Sequence, residues 1–309
     1  MKFVFSKYHG TGNDFILIDN RDATIHLSQE EIKRLCDRHF GIGADGLMFL
    51  TAGTGHDFGM KYFNSDGKES TMCGNGGRCM TAFARALGII EQNADFTAID
   101  GEHEAMILDQ TGPKTMVKLK MSDVQSTKYL TSKITNTESS LFLRPSSFVL
   151  NTGSPHLVLF TENVSAVDVV AEGRKHRNNP EFAPDGINVD FVEKREQRLF
   201  VRTYERGVED ETLSCGTGVT AAALAYASWQ IAVGSKQEAS GSMPLADNRD
   251  VIARNEVTKQ TRTGTKIEIE TPGGQLTVSF RRGKSNFTDI WLEGPAEFVF
   301  KGETEVRET

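Results

Sequence analysis

The chain is written twice. The run Phe40-Gly41-Ile42-Gly43-Ala44-Asp45-Gly46-Leu47-Met48-Phe49-Leu50 resembles Phe182-Ala183-Pro184-Asp185-Gly186-Ile187-Asn188-Val189-Asp190-Phe191-Val192. Tyr62–Gly67 resembles Thr203–Gly207, and Cys73-Gly74-Asn75-Gly76 resembles Cys215-Gly216-Thr217-Gly218. Asp45 precedes Asp185 by 140 residues, Asn64 precedes Glu205 by 141, and Cys73 precedes Cys215 by 142. A weaker pair, Gly12-Asn13 and Gly153-Ser154, sits at the same spacing. A near-constant offset across widely separated motifs points to a duplicated unit. At 309 residues the chain is long for one core and suited to two. The expected division is residues 1–121, with 297–309 returning to that half, and 122–296, the join falling where Ser, Thr and Asn accumulate near 120–140.

Local patterns place the repeated motifs. Ser28-Gln29-Glu30-Glu31 is a capping box that opens a helix with Ile32, Leu35 and Cys36 on its apolar face. Cys79–Leu87 reads as a largely apolar helix stopped by Gly88. Val219–Ala227 is apolar nearly all round, as in a helix buried on every side. Strand patterns occupy Lys114–Leu119, Phe148–Leu150, His156–Phe160, Lys266–Ile269 and Gln275–Phe280. The fold class expected is α+β: two pseudo-symmetric domains, each a mostly antiparallel, barrel-like sheet wrapped round a central helix. Residues 234–264 are polar and weakly patterned, and read as a solvent-exposed insertion.

Composition narrows the function classes. With 38% hydrophobic and 25% charged residues the bulk of the chain is globular rather than disordered. Net charge is −7 and Lys and Arg form no stripe, so nucleic acid is not an expected partner. No apolar stretch reaches the length of a membrane span, and the first residues lack the apolar core of a signal peptide. Four cysteines in such a chain fit a reducing cytoplasm rather than a disulfide framework.

Two of those cysteines carry the chemistry. Cys73 and Cys215 each begin a predicted helix and are followed by glycine-rich turns. A helix N-terminus offers unpaired N–H groups and positive potential, which lower a thiol pKa and bind a carboxylate. Closing the two domains about a pseudo-two-fold axis would bring both thiols to one cleft. A thiolate and a thiol of matched pKa then suit racemisation or epimerisation, one removing a proton from carbon and the other returning one on the opposite face. Cys36 and Cys79 fit buried core positions. A metal site is disfavoured by the Cys73-x5-Cys79 spacing. Gly41-x-Gly43-x-x-Gly46 follows a helix and precedes a strand, the reverse of a dinucleotide-binding turn. Asn64 and Glu205, at equivalent places ahead of their cysteines, suit a substrate ammonium, and His156 lies in a repeated segment. A thiol–disulfide redox protein and a non-catalytic amino-acid-binding module remain alternatives.

Further motifs carry a resemblance: His9-Gly10-Thr11-Gly12-Asn13-Asp14-Phe15, Phe63–Gly67, Met72–Cys79, Tyr204–Gly207 and Cys215–Gly218. Together they resemble the diaminopimelate epimerases, which interconvert LL- and meso-diaminopimelate without a cofactor and supply lysine and peptidoglycan precursors. Proline racemases share the two-cysteine plan, but their first loop reads Cys-Gly-His where this chain has Asn75. The resemblance implies that Cys73 and Cys215 are the two bases, assisted by His156 and Glu205. It implies that Asn13, Asn64, Asn188, Glu205 and Arg206 hold the substrate's amino and carboxylate groups and its distal stereocentre. It assigns the N–H groups of Gly74, Asn75, Gly216 and Thr217 to the carboxylate at the reacting carbon. A diaminopimelate epimerase-like fold, a homodimer and no metal or cofactor follow from it as well. Ser154 stands where the family usually has Asn, Gly46 where some relatives have Gln, and the loop Gly207–Leu213 has one extra residue.

Overall fold

A computed structural model describes residues 1–126, 128–130, 142–240, 264–284 and 286–306. The chain divides into two compact units, Met1–Lys120 with Glu293–Thr309, and Met121–Leu292. The first holds β1 (Lys2–Gly10), β2 (Asn13–Asp19), α1 (Gln29–Cys36), β3 (Gly46–Ala52), β4 (Phe58–Asn64), β5 (Glu69–Ser70), α2 (Gly74–Ala86), β6 (Asn93–Ala98), β7 (Gly101–Thr111) and β8 (Lys114–Lys120). The second holds β9 (Lys128–Leu130), β10 (Phe142–Asn151), β11 (Pro155–Thr161), α3 (Val169–Arg177), β12 (Asn188–Arg195), β13 (Arg198–Glu205), β14 (Asp210–Thr212), α4 (Gly216–Ser240), β15 (Thr265–Thr271) and β16 (Gly274–Arg282). The last strand, β17 (Phe287–Glu305), begins in the second unit's range and ends in the first's.

The pairing is the same in both units. β1–β2 and β10–β11 are antiparallel, while β2–β3 and β11–β12 are parallel. β3–β4 and β12–β13 are antiparallel; β4–β6 and β13–β15 are parallel; β6–β7 and β15–β16 are antiparallel. In the first unit β7 pairs with β8, β8 with β17, and β17 with β1, so the sheet closes on itself.

Enclosure explains the sequence patterns. Helix α2 packs on β1, β2, β7 and β8, and Cys79, Met80 and Ala84 have no exposed surface. On the other face of the sheet α1 lies over Ile16, Ile18, Leu47 and Phe49. A strand covered on both sides needs a continuous apolar run rather than alternation, and Phe15–Ile18 is fully buried. In the second unit α4 packs on β10 to β13, with Val219–Ala225 buried, while Val169 of α3 belongs to the apolar cluster of Leu157, Leu159, Val189 and Phe191. Helix α4 runs on to Ser240, so residues 234–240 of the segment expected as a polar insertion are helical; 241–263 lie outside the described residues. Among the described residues no helix is long and apolar enough to cross a membrane.

Candidate active site

The first unit's site is built on the β1–β2 hairpin and the start of α2. Gly10 pairs with Asn13, and the two residues between them, Thr11 and Gly12, have φ of 52° and 85°. Both being left-handed, the turn matches the twist of the paired strands. A Cβ at Gly10 would lie 3.0 Å from the Asn75 carbonyl oxygen, so glycine there admits the helix start against the hairpin. Cys73 is the N-cap of α2, half-buried, with extended φ and ψ of −94° and 133°. The first α-helical bond of α2 runs from the Gly77 N–H to the Cys73 carbonyl at 2.7 Å, so the N–H groups of Gly74 and Asn75 lie ahead of the helical ladder.

Two side-chain amides, those of Asn13 and Asn75, set hydrogen-bond directions beside Cys73. Asn13 donates from Nδ2 to Asp45 Oδ2 at 2.7 Å, which turns its Oδ1 toward Asn75 Nδ2 (3.3 Å) and Cys73 Sγ (3.6 Å). Asn75 is held in the complementary sense because its Oδ1 accepts from Arg78 at 2.9 Å. Arg78 has no exposed surface; burial pushes its guanidinium down to about 10, with Cys79 and Cys73 acting the other way. Behind Asn13, Asp14 lies between Lys7 (2.7 Å) and Arg38 (2.7 Å), and Arg38 also reaches Asp45 at 2.7 Å. Burial alone would raise the Asp14 carboxyl, but the hydrogen bonds from Arg38 and Lys7 outweigh it and hold the group at about 2.

The second unit's site lies on β11, β12 and the start of α4. Cys215 immediately precedes Gly216 and is 8% exposed. Its sulfur is 3.4 Å from Thr217 Oγ1 and accepts from the Gly218 N–H. The expected lowering of this thiol is not what the structure gives. Burial pushes Cys215 well above the ordinary thiol range, the nearby Glu205 and Asp190 carboxylates add to that, and the bonds from Thr217 and Gly218 oppose it only in part. His156 is fully buried, with Nδ1 2.8 Å from Asp190 Oδ2 and Nε2 2.9 Å from Thr217 Oγ1. Thr203 donates to the other Asp190 oxygen at 2.7 Å.

The remaining predicted site residues fall into three groups. Asn188 spends its amide inside the protein: Nδ2 donates to Ser154 Oγ (2.8 Å) and the Pro155 carbonyl (3.0 Å), and Oδ1 accepts from the Arg206 N–H (2.8 Å). It clamps the β11–β12 edge to the corner after β13. Glu205 and Arg206 stand at that corner, both half-buried. Asn64 ends β4 opposite Gly46 with its side chain exposed. A Cβ at Gly46 would lie 2.5 Å from the Tyr62 ring and 2.6 Å from the Phe63 carbonyl, so no longer side chain fits here as the strands stand. Sequence reasoning missed Asp190, Thr203 and the role of Arg78. Their signal was slight, since an Asp in a β-strand and an Arg in a helix are ordinarily surface residues. Among the described residues no three His, Cys, Asp or Glu side chains are grouped to hold a metal ion.

The family model for diaminopimelate epimerase matches residues 5–126 and 148–240 of this chain. A diaminopimelate epimerase of Flavobacterium psychrophilum is 43% identical over 298 residues, spanning 96% of this chain and 97% of its own. One from Methanocella arvoryzae is 36% identical over 313 residues, spanning 99% and 98%. Among solved structures, a PhzF-family phenazine biosynthesis protein from Bacillus anthracis matches with a TM-score of 0.65 at 15% identity, covering 99% of this chain and 100% of that one. A hydroxyproline epimerase from Agrobacterium vitis, with bound trans-4-OH-L-proline, matches with a TM-score of 0.61 at 12% identity, covering 98% and 92%. At such identities the structural likeness establishes a shared fold and nothing finer.

Proposed function

Because the chain belongs to the diaminopimelate epimerase family, whose members are isomerases, we propose that it interconverts LL- and meso-diaminopimelate by a two-base mechanism in which Cys73 and Cys215 are the bases. The observation that carries this reading is the equivalent placement of the two thiols. Each stands at the first turn of its unit's enclosed helix, α2 or α4, after the same strand order and before a glycine-rich turn. One thiolate removes the α-proton and the other thiol returns a proton to the opposite face of the same carbon.

An α-proton of an amino acid is far less acidic than a thiol, so the carbanion must be stabilised. First-turn N–H groups of Gly74, Asn75, Gly216 and Thr217, preorganised by their helices, supply fixed dipoles for the substrate carboxylate without a cofactor. Asn13, oriented by Asp45, accepts from the Cys73 thiol and so holds its proton in a defined direction. Asn64 and Glu205 take the substrate ammonium, and the Arg206 guanidinium suits the distal carboxylate as a bidentate partner. Asn188 contributes through the Arg206 backbone, which it anchors, rather than through a free amide. The enzyme then serves lysine and peptidoglycan precursor supply in the cytoplasm, as a homodimer.

The decisive measurement is NMR of LL-diaminopimelate in D2O with the reduced protein and no added cofactor. Deuterium entering the α-position while meso product accumulates is the expected result. Exchange on proline or hydroxyproline instead would keep the chemistry and move the substrate; exchange on no amino acid would end the catalytic reading. Cys73→Ser and Cys215→Ser are each expected to lower turnover by orders of magnitude, and near-parental turnover in either removes the two-base assignment.

A further inference from the structure

Four side chains of the second unit form one unbroken hydrogen-bonded line: Asp190, His156, Thr217 and Cys215. The directions along it are constrained by elementary donor–acceptor rules. A carboxylate only accepts, so His156 donates to Asp190 through Nδ1. The second Asp190 oxygen is taken by the Thr203 hydroxyl, which prevents the carboxylate from rotating away. Neutral His156 therefore presents Nε2 as an acceptor. The donor Asn188 Nδ2 at 3.5 Å and Thr217 Oγ1 at 2.9 Å both lie on that side. With its proton directed at Nε2, Thr217 has only its oxygen lone pairs to offer Cys215, which then lies as a thiol donating to Oγ1.

A reversed set of directions is equally complete. With His156 protonated on both nitrogens, Nε2–H donates to Thr217 Oγ1 and the Thr217 hydroxyl donates to a Cys215 thiolate. The two arrangements differ by one proton moved along the line and by nothing else. Asp190 is brought beneath the first turn of α4 by a specific device: a Cβ on Gly218 would lie 2.4 Å from Asp190 Oδ1.

We propose that Asp190 is a positioning residue, and the Thr217 hydroxyl the bridge, of a proton relay between His156 and the sulfur of Cys215. In the step, the S–H bond of Cys215 breaks as its proton passes to Thr217 Oγ1, and the original Thr217 O–H bond breaks as that proton passes to His156 Nε2. One O–H and one N–H bond form, no electron is gained or lost, and the product is a thiolate with an imidazolium held against the Asp190 carboxylate. This inference rests on the two-base reading, because it supplies the thiolate that one of the two bases must be. The need is physical: burial and the charges of Glu205 on β13 and Asp190 on β12 disfavour a thiolate at Cys215, and the relay places a compensating cation on β11.

The test uses the full-length protein without substrate. The rate of Cys215 alkylation by iodoacetamide is followed against pH, with the modified site mapped by mass spectrometry, and kcat and KM are measured in parallel with LL-diaminopimelate. Through space alone, removing the Asp190 charge would make Cys215 a better thiolate and speed its alkylation. The relay predicts the opposite sign for Asp190→Asn: the alkylation profile moves to higher pH, and kcat falls by about 10²-fold while KM changes little. Thr217→Val cuts the line from the other end, and in that background Asp190→Asn no longer slows alkylation, whereas Thr217→Ser restores the parental profile. Alkylation unchanged or faster in Asp190→Asn overturns the relay, as does an undiminished Asp190→Asn effect beside Thr217→Val. Absence of diaminopimelate turnover in the parent protein, with the alkylation shifts intact, would instead count against the epimerase reading alone.

Discussion

A guanidinium with no exposed surface and no carboxylate in ion-pair range among the described residues must be held by neutral acceptors, and Arg78 is. It donates to the Gly74 carbonyl (3.1 Å), Asn75 Oδ1 (2.9 Å), Thr11 Oγ1 (3.4 Å) and the Pro295 carbonyl (3.4 Å). The planar fork spans these points where an ammonium would reach only some of them. Arg78→Lys is therefore expected to leave buried acceptors unpaired and to cost about 3 kcal/mol, read from urea unfolding. Because Asn75 then loses its fixed sense, and with it the bond it donates to Asn13, turnover should fall more than stability at low temperature explains. At this scale the sequence was informative where residue type and context conflicted. Cys73 and Cys215, polarisable thiols in glycine turns, stood out for that reason. Asp190, Thr203 and Arg78 did not, because what makes them unusual is burial, and burial is a property of the packed chain.

Elements were legible where local signals and packing agree. Ser28 caps α1 in the predicted capping box: its Oγ accepts from the Glu31 N–H at 3.3 Å, and the Glu31 carboxylate accepts from the Ser28 N–H at 2.6 Å. Ser28→Ala should cost about 1 kcal/mol in thermal or urea unfolding. Helix α3 gave no usable pattern because Gly173 interrupts it, and the structure shows the reason. A Cβ there would lie 2.4 Å from Tyr204, so glycine is needed for α3 to lie directly on β13. The far end of α4 gives no helical signal in the sequence because Ser235-Lys236-Gln237-Glu238-Ala239-Ser240 is polar, without an apolar stripe. Gly218 at the other end of α4 is the element's critical position. Gly218→Ala would drive a methyl group into Asp190 and is expected to shift the first turn, lowering turnover by more than tenfold with little change in helix content by circular dichroism.

At the scale of the whole molecule, charge and closure act through the first unit. The cluster of Lys7, Asp14, Arg38 and Asp45 ties β1, β2 and the loop after α1 together. With Asp14 held at about 2 in the folded protein, against about 3.9 unfolded, its contribution is complete above pH 4 and lost as pH falls through 2. Asp14→Asn should flatten the acid limb of the stability curve over that window. Closure depends on β17, whose residues 294–297 pair with β8 and 297–305 with β1. Its nineteen residues mix buried, intermediate and exposed positions without a steady period, which is why no strand of that length was readable from the sequence. Phe298 lies against Tyr8 with ring centroids 5.4 Å apart, and Phe300 against Phe5 at 5.9 Å. Removing residues 298–309 would strip both rings and leave the ladder edge of β1 unpaired, so the first unit should lose its cooperative unfolding. The second unit carries both tryptophans, Trp229 and Trp291, while the first has none. Tryptophan fluorescence thus reports the second unit alone, and far-ultraviolet circular dichroism reports both. The truncated protein should keep a sharp fluorescence transition in urea while its dichroism loses amplitude and steepness. A parallel loss of both signals would mean that the second unit does not fold without the closed sheet of the first.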